Sequence, residues 1–205
     1  MFRIEIFGGI ATGKTTLAQR LAEAGGIPLI RESYREVPFW EKFYANPAIY
    51  EFEKNVSFLL FHADAIRVAE SSINGSVCDF AFLQDVAYAS LSRQRGDVPI
   101  LEAIHAHLTR RMSSPSLLIR LKCTVDTQIE RIRRRGRVPE LSIGPPYLDA
   151  LNEAVDARQA EFLAANSVPL IEVDTDEINF VDDLQHVQAL HQRAMREIGV
   201  SASEP

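Results

Sequence analysis

The sequence predicts an α/β domain in which short parallel strands alternate with helices around a single core. Two observations lead there. Residues 2–22 run from apolar Phe2, Ile4, Ile6 and Phe7 through a glycine-rich turn into Leu17, Ala18, Leu21 and Ala22 at helical spacing. Short apolar runs followed by helical periodicity then recur down the chain, the pattern of a parallel sheet with crossover helices. Two hundred and five residues with 46% hydrophobic content suffice for one substantial core, so one domain is expected over 1–200 with a loose tail at 201–205.

The turn reads Gly8, Gly9, Ile10, Ala11, Thr12, Gly13, Lys14, Thr15, Thr16, which contains the Walker A spacing G-x-x-x-x-G-K-T. Its glycines let backbone N–H groups curl around phosphate oxygens, and the following helix start adds partial positive charge. Lys14 can reach the β- and γ-phosphates of a nucleoside triphosphate, and the Thr15 hydroxyl can ligate Mg²⁺. A chance match in a glycine-containing turn is the bland alternative, and the strand before and helix after argue against it.

Gly25-Gly26 stops the first helix, and residues 27–30 form the second strand, which leads into Arg31-Glu32. Glu32 thus lies at the strand end where open α/β sheets bind ligands, unless it is simply a surface carboxylate. An aromatic helix is expected over 38–45, with Phe39, Trp40, Phe43 and Tyr44. Pro47 opens a long helix to about Glu70, apolar nearly all round and therefore expected to be buried. Asn55 and His62 share one of its faces, either as satisfied core polar groups or opposite a ligand.

The third strand, 76–79, ends in Asp79, well placed to hold Mg²⁺ together with Thr15. Helices follow over 80–95, carrying Asp85, and over 99–112. His105 and His107 project about 200° apart on the second of these, which suits no shared metal. The fourth strand spans 116–121. The next helix ends in the run Glu130 to Arg137, either a solvated basic helix end or a lid at about 133–145 that clamps transferring phosphates. A helix over 147–165, a strand over 168–173, an acidic loop over 174–179 and a helix over 180–198 complete the chain.

A net charge of −6 argues against a nucleic-acid polymer as partner. Cys78 and Cys123 fall in apolar strand candidates and read as buried thiols. With no apolar run near membrane-spanning length and a first strand beginning at once, a soluble cytoplasmic enzyme is expected.

In this order the residues resemble the deoxynucleoside kinase family over nearly the whole chain, and most of all its short bacterial members. The resemblance implies a three-layer P-loop fold with strand order 2-3-1-4-5, ATP as phosphoryl donor, Mg²⁺, a deoxynucleoside acceptor and a homodimer. It places the catalytic base on Glu32, with Lys14, Arg131, Arg135 and Arg137 on the transferring phosphoryl group. The sugar 3′-hydroxyl falls to Tyr44 and Glu140, and the loop of Asp174, Asp176, Glu177 and Ile178 to the adenine of ATP.

Asn55, Phe58, His62, Phe80 and Asp85 fall in the nucleoside pocket, where the chain departs from the family. Asn55 replaces a Gln, His62 an Arg, and Phe80 the Arg of an acid-Arg-Ser signature, which leaves open how the 5′-oxygen and Glu32 are held. Asn is one methylene shorter than Gln, about 1.3 Å less reach. The deeper pocket that follows favours a purine, with deoxyadenosine slightly ahead of deoxyguanosine. A thymidylate-kinase-like monophosphate kinase would need acceptor-side arginines where Phe80 and His62 stand. A nucleotide switch would need guanine-nucleotide motifs that the chain lacks.

Overall fold

A computed structural model describes residues 2–199, so the expected tail at 201–205 lies outside the described residues. Five parallel strands form one sheet: β1 (Arg3–Gly8), β2 (Leu29–Ile30), β3 (Ser76–Cys78), β4 (Leu117–Lys122) and β5 (Leu170–Asp174), in the spatial order β2-β3-β1-β4-β5. This is the order the resemblance implies. It sets the ends of β2, β3 and β1 side by side, so Glu32, Asp79 and the glycine turn meet at one edge of the sheet.

Alternation along β1 separates two faces. Ile4 and Ile6 pack with Leu17 and Leu21 of α1 (Lys14–Gly25) and with Val187, Ala194 and Met195 of α8 (Leu184–Glu197). Behind the other face lie α3 (Pro47–Glu70) and α5 (Val98–Thr109), around Leu59, Ile66, Phe82 and Leu101. Beside them, α4 (Leu83–Ser90) and α7 (Pro145–Ala165) bury Ala87, Leu151 and Val155 against Phe7 and Leu118. Two further helices, α2 (Trp40–Ala45) and α6 (Val125–Arg135), flank the ligand edge.

That second face of β1 also carries charge. Arg3 Nε donates to Glu5 Oε1 at 2.8 Å, its Nη1 to Glu70 Oε1 at 2.9 Å and its Nη2 to the Ser113 carbonyl at 2.7 Å. Glu5 Oε2 accepts the Phe82 N–H at 3.2 Å. Both Arg3 and Glu5 are buried, and burial pushes the Glu5 pKa up against the opposing pull of Arg3. Arg3→Ala would strand the Glu5 carboxylate, a loss expected to be about 3–5 kcal/mol. Urea unfolding measures it, and a midpoint within experimental error of wild type would show that water solvates Glu5.

Several boundaries differ from the sequence reading, each for a local reason. Strand β2 starts at Leu29 because Ile27 is spent on the end of α1: Gly26 takes φ 59° and the Ile27 N–H donates to the Ala22 carbonyl at 3.0 Å. Helix α4 starts at Leu83, since the Phe82 N–H goes to Glu5. Helix α8 starts at Leu184, capped by Asp183, whose Oδ1 accepts the His186 N–H at 3.0 Å. Cys123 sits half-buried just past β4. Helix α3 is not buried all round: Leu60 and Val68 are more than half exposed, because its packing against α2, β3, α4 and α5 leaves part of its surface uncovered.

Candidate active site

The turn between β1 and α1 forms the floor of a cleft of ≈ 650 Å³ that also takes in Glu32, Asp79, Arg131, Arg135, Arg137 and Glu140. Its shape depends on glycine at two places. A Cβ on Gly9 would strike the side chains of Gln128 and Asn152, and Gly13 holds φ 99° where the chain turns into α1. Two glutamines brace the turn from outside. Gln84 accepts the Gly8 N–H at 3.1 Å and donates to the Gly8 carbonyl at 2.8 Å; Gln128 donates to the Ile10 carbonyl at 2.8 Å and accepts from Asn152 at 2.9 Å. The sequence reading singled out none of these three, although each is a neutral polar residue on an otherwise apolar helix face.

Lys14 Nζ donates to the carbonyls of Gly8 and Gly9 at 3.0 and 2.9 Å. Burial pulls its pKa down, while Glu32 and Asp79 oppose that pull. Asp79 follows β3 directly and accepts the Glu32 N–H at 2.5 Å. Burial raises its pKa, partly offset by that hydrogen bond and by Thr15. An Asp carboxylate beside a Thr hydroxyl fits Mg²⁺, a hard cation that binds through one or two protein oxygens, substrate phosphates and waters. Among the described residues no three His, Cys, Asp or Glu side chains gather as a closed metal cage.

Behind Glu32 lies a second group of the expected residues, outside the cleft lining itself. His62 Nε2 is 3.3 Å from Glu32 Oε1, and His62 Nδ1 donates to both oxygens of Asp85 at 2.9 Å. The ring lies flat on Phe80, with centroids 4.1 Å apart, and Phe58 packs beside it at 5.6 Å. Burial alone would lower the His62 pKa, but the charge and hydrogen bonds of Asp85, joined by the nearby Glu32 carboxylate, lift it to about 10. The two carboxylates thus favour the charged form of the ring. Burial would raise the Glu32 pKa, yet His62, Lys14 and Arg137 together hold it below its ordinary value.

A stability consequence follows. The His62 pKa is raised above the ordinary histidine value of 6.5, so its stabilisation is complete below that pH and drains away as pH climbs through about 10. The melting-temperature gap between wild type and His62→Gln should be widest near pH 6 and close towards pH 10. Thermal scans across that range check it; a constant gap would mean that the ring is neutral throughout.

Asn55 is buried, and among the described residues its Nδ2 has no partner. Next to it, Lys54 sets its ammonium 4.5 Å from the Phe43 ring centroid, and burial draws its pKa down to about 8. An aromatic series, Tyr34, Trp40 and Tyr44, with centroids 4.9 and 5.0 Å apart, leads from the loop after β2 into α2. Burial pushes the Tyr44 phenol up to about 12, with Glu140 adding to the rise.

Helix α6 ends at Gly136 with φ 65°, and the next turn buries Glu140 against both Arg135 and Arg137. The Arg137 guanidinium sits 4.4 Å from the Tyr34 ring centroid. Arg131 bridges two walls, donating to the Thr175 hydroxyl at 2.9 Å and to the Ala11 carbonyl at 3.4 Å. In the loop after β5, Ile178 lines the cleft with Thr175 and Phe180, whereas Asp174, Asp176 and Glu177 stand outside its lining. Asp176 accepts the Thr124 N–H at 2.8 Å, and Asp174 accepts the Asp176 N–H at 2.9 Å. Tyr88 also lines the cleft and was not legible in the sequence, since it falls within the apolar periodicity of α4.

Comparison with known proteins agrees with the fold. The deoxynucleoside kinase family model matches residues 4–198. The chain is 27% identical over 183 residues to the deoxyguanosine kinase of Bacillus subtilis (strain 168), covering 87% of this chain and 88% of that protein. It is 28% identical over 194 residues to the deoxyadenosine kinase of Dictyostelium discoideum, covering 91% and 77%. Its fold is similar to that of the deoxyadenosine kinase from M. mycoides solved with bound dATP, at TM-score 0.79 and 21% identity, covering 95% of this chain and all of that one.

Proposed function

The chain belongs to the deoxynucleoside kinase family, and from that premise we propose that it transfers the γ-phosphoryl group of ATP to the 5′-hydroxyl of a purine deoxynucleoside, with Glu32 as the base. The single observation that carries this is the position of the Glu32 carboxylate, at the cleft edge between the Lys14 turn and the buried His62 and Phe80 side chains.

In the reaction Glu32 takes the proton from the 5′-hydroxyl, the freed oxygen attacks the γ-phosphorus in line, and the bond to the bridging oxygen of ADP breaks. Lys14, Arg135 and Arg137 spread the charge of the transferring group, and Arg131 braces the turn against the β5 loop. Thr15 and Asp79 would hold Mg²⁺, which when bound neutralises phosphate charge. Tyr44 and Glu140 face the sugar 3′-hydroxyl, and Ile178 faces the adenine of ATP.

The purine preference rests on Asn55, whose buried amide N–H₂ has no acceptor among the described residues and suits N7 or N1 of a purine. Relatives named for deoxyguanosine and deoxyadenosine agree with it. Homodimerisation belongs to the same reading, with the exposed Leu60 and Val68 of α3 and Ile100 of α5 supplying apolar surface. So does a cytoplasmic location. Among the described residues no helix is long and apolar enough to cross a membrane.

ATP consumption measured with each deoxynucleoside, ribonucleoside and deoxynucleoside monophosphate in turn tests the proposal. Deoxyadenosine and deoxyguanosine should give the highest kcat/KM, deoxyadenosine slightly ahead, and a 2′,3′-dideoxynucleoside should be turned over poorly. Preference for thymidine or deoxycytidine would overturn the base assignment; turnover only with monophosphates would overturn the acceptor.

A further inference from the structure

The Glu32 carboxylate has few direct partners. Among the described residues one cationic side chain is in ion-pair contact with it, the His62 ring, while Lys14 and Arg137 act on it from farther off. That ring has almost no freedom. It is 2% exposed, its Nδ1 is taken by both oxygens of Asp85, and its face lies on Phe80 with 9° between the planes. Four separate stretches meet there: α3 supplies His62, α4 Asp85, the segment after β3 Phe80, and the loop after β2 Glu32.

A histidine that reads a nucleobase would keep a nitrogen directed at the base. Here Nδ1 is occupied, and Nε2 is directed at the Glu32 carboxylate, at charge-contact distance but off the line of a hydrogen bond. Glu32 sits in an irregular loop, and loop side chains reach catalytic precision only when neighbouring groups fix their rotamers. The main-chain N–H of Glu32 is already tied to Asp79, so what remains to be fixed is the side chain itself.

We propose that His62 is a positioning residue of the phosphoryl transfer, with Asp85 and Phe80 clamping its ring so that the ring holds the Glu32 carboxylate at the 5′-hydroxyl. The inference rests on the assignment of Glu32 as the base. His62 exchanges no proton with substrate; the hydroxyl proton passes to Glu32 alone. Phe80, which has no charge to offer Glu32, serves instead as the flat support that sets the ring plane.

A double-mutant cycle with His62→Gln, Glu32→Gln and the pair together tests this, with kcat and nucleoside KM measured separately. His62→Gln should lower kcat by roughly 10- to 10²-fold, the scale of a misplaced reacting group, with KM within about threefold of wild type. In the Glu32→Gln background the same substitution should change kcat by less than about threefold, because there is no longer a carboxylate to hold. A raised KM with unchanged kcat would make His62 a base-reading contact and overturn the proposal. Equal losses in both backgrounds would make it structural and overturn it as well. If Glu32→Gln alone retains full turnover, the base assignment itself fails, a result distinct from either. Should circular dichroism show His62→Gln unfolded, Asp85→Asn, which frees the ring from its clamp without removing it, replaces it in the cycle with the same expected outcomes.

Discussion

Lys14→Ala is expected to reduce phosphoryl transfer below detection, a loss of at least about 10³-fold, in a protein that still folds. The fold survives because the glycine turn does not depend on the lysine. Gln84 holds both main-chain polar groups of Gly8, and Gln128 holds the Ile10 carbonyl, whereas Lys14 merely rests its ammonium on the Gly8 and Gly9 carbonyls. Activity fails because transfer leaves charge on the β- and γ-oxygens, and a preorganised cation in a partly buried site stabilises that charge far better than water does. Single groups of this kind are worth about 10²–10⁵ in rate. A coupled assay for ADP release, with circular dichroism on the same sample, measures both halves. Turnover within tenfold of wild type would show that the arginines at the end of α6 suffice without it.

Glu32→Gln is expected to leave ATP binding intact and to cut kcat by roughly 10²–10⁴-fold, the range for loss of a positioned base. The amide keeps the shape of the carboxylate, and the Glu32 main chain stays tied to Asp79, so the cleft is undisturbed. What disappears is the acceptor for the hydroxyl proton. Calorimetric titration with ATP, set beside kcat at saturating deoxynucleoside, separates the two effects. If kcat is unchanged, or ATP binding is lost along with it, Glu32 is not acting as a base.

Much of the architecture was legible because local signals and global order agreed. The Lys14 turn, the strand-end acids Glu32 and Asp79, and the arginine run of α6 announce themselves by residue type and spacing, and the sheet order brings them to one edge. The boundaries that moved, at β2, α4 and α8, did so because a single N–H was claimed by a tertiary or capping partner, which periodicity does not record. The Asn55–His62 face was visible as an interruption of an apolar helix, but its meaning was not. That His62 meets Glu32 across two elements, while Asp85 occupies its other nitrogen, is a property of the fold alone. Gln84 and Gln128 stayed silent for a similar reason: a lone glutamine on a helix carries no motif, and its importance lies in the backbone groups opposite it.

Strand β1 and helix α4 are joined at two points, Glu5 to the Phe82 N–H at 3.2 Å and Gln84 to both polar groups of Gly8 at 3.1 and 2.8 Å. β1 runs directly into the Lys14 turn, proposed above to hold the triphosphate, and α4 carries Asp85, proposed above to lie on the acceptor side. The span from donor to acceptor is thereby gauged by one short rigid brace, not by the long excursion of chain between residues 9 and 84. Variation in the loops, in α2 and in the turn after α6 can accumulate without altering that span. In-line displacement tolerates little error in the distance between attacking oxygen and phosphorus, so the part of the molecule least free to vary is this brace, one layer beneath the residues that touch the substrates.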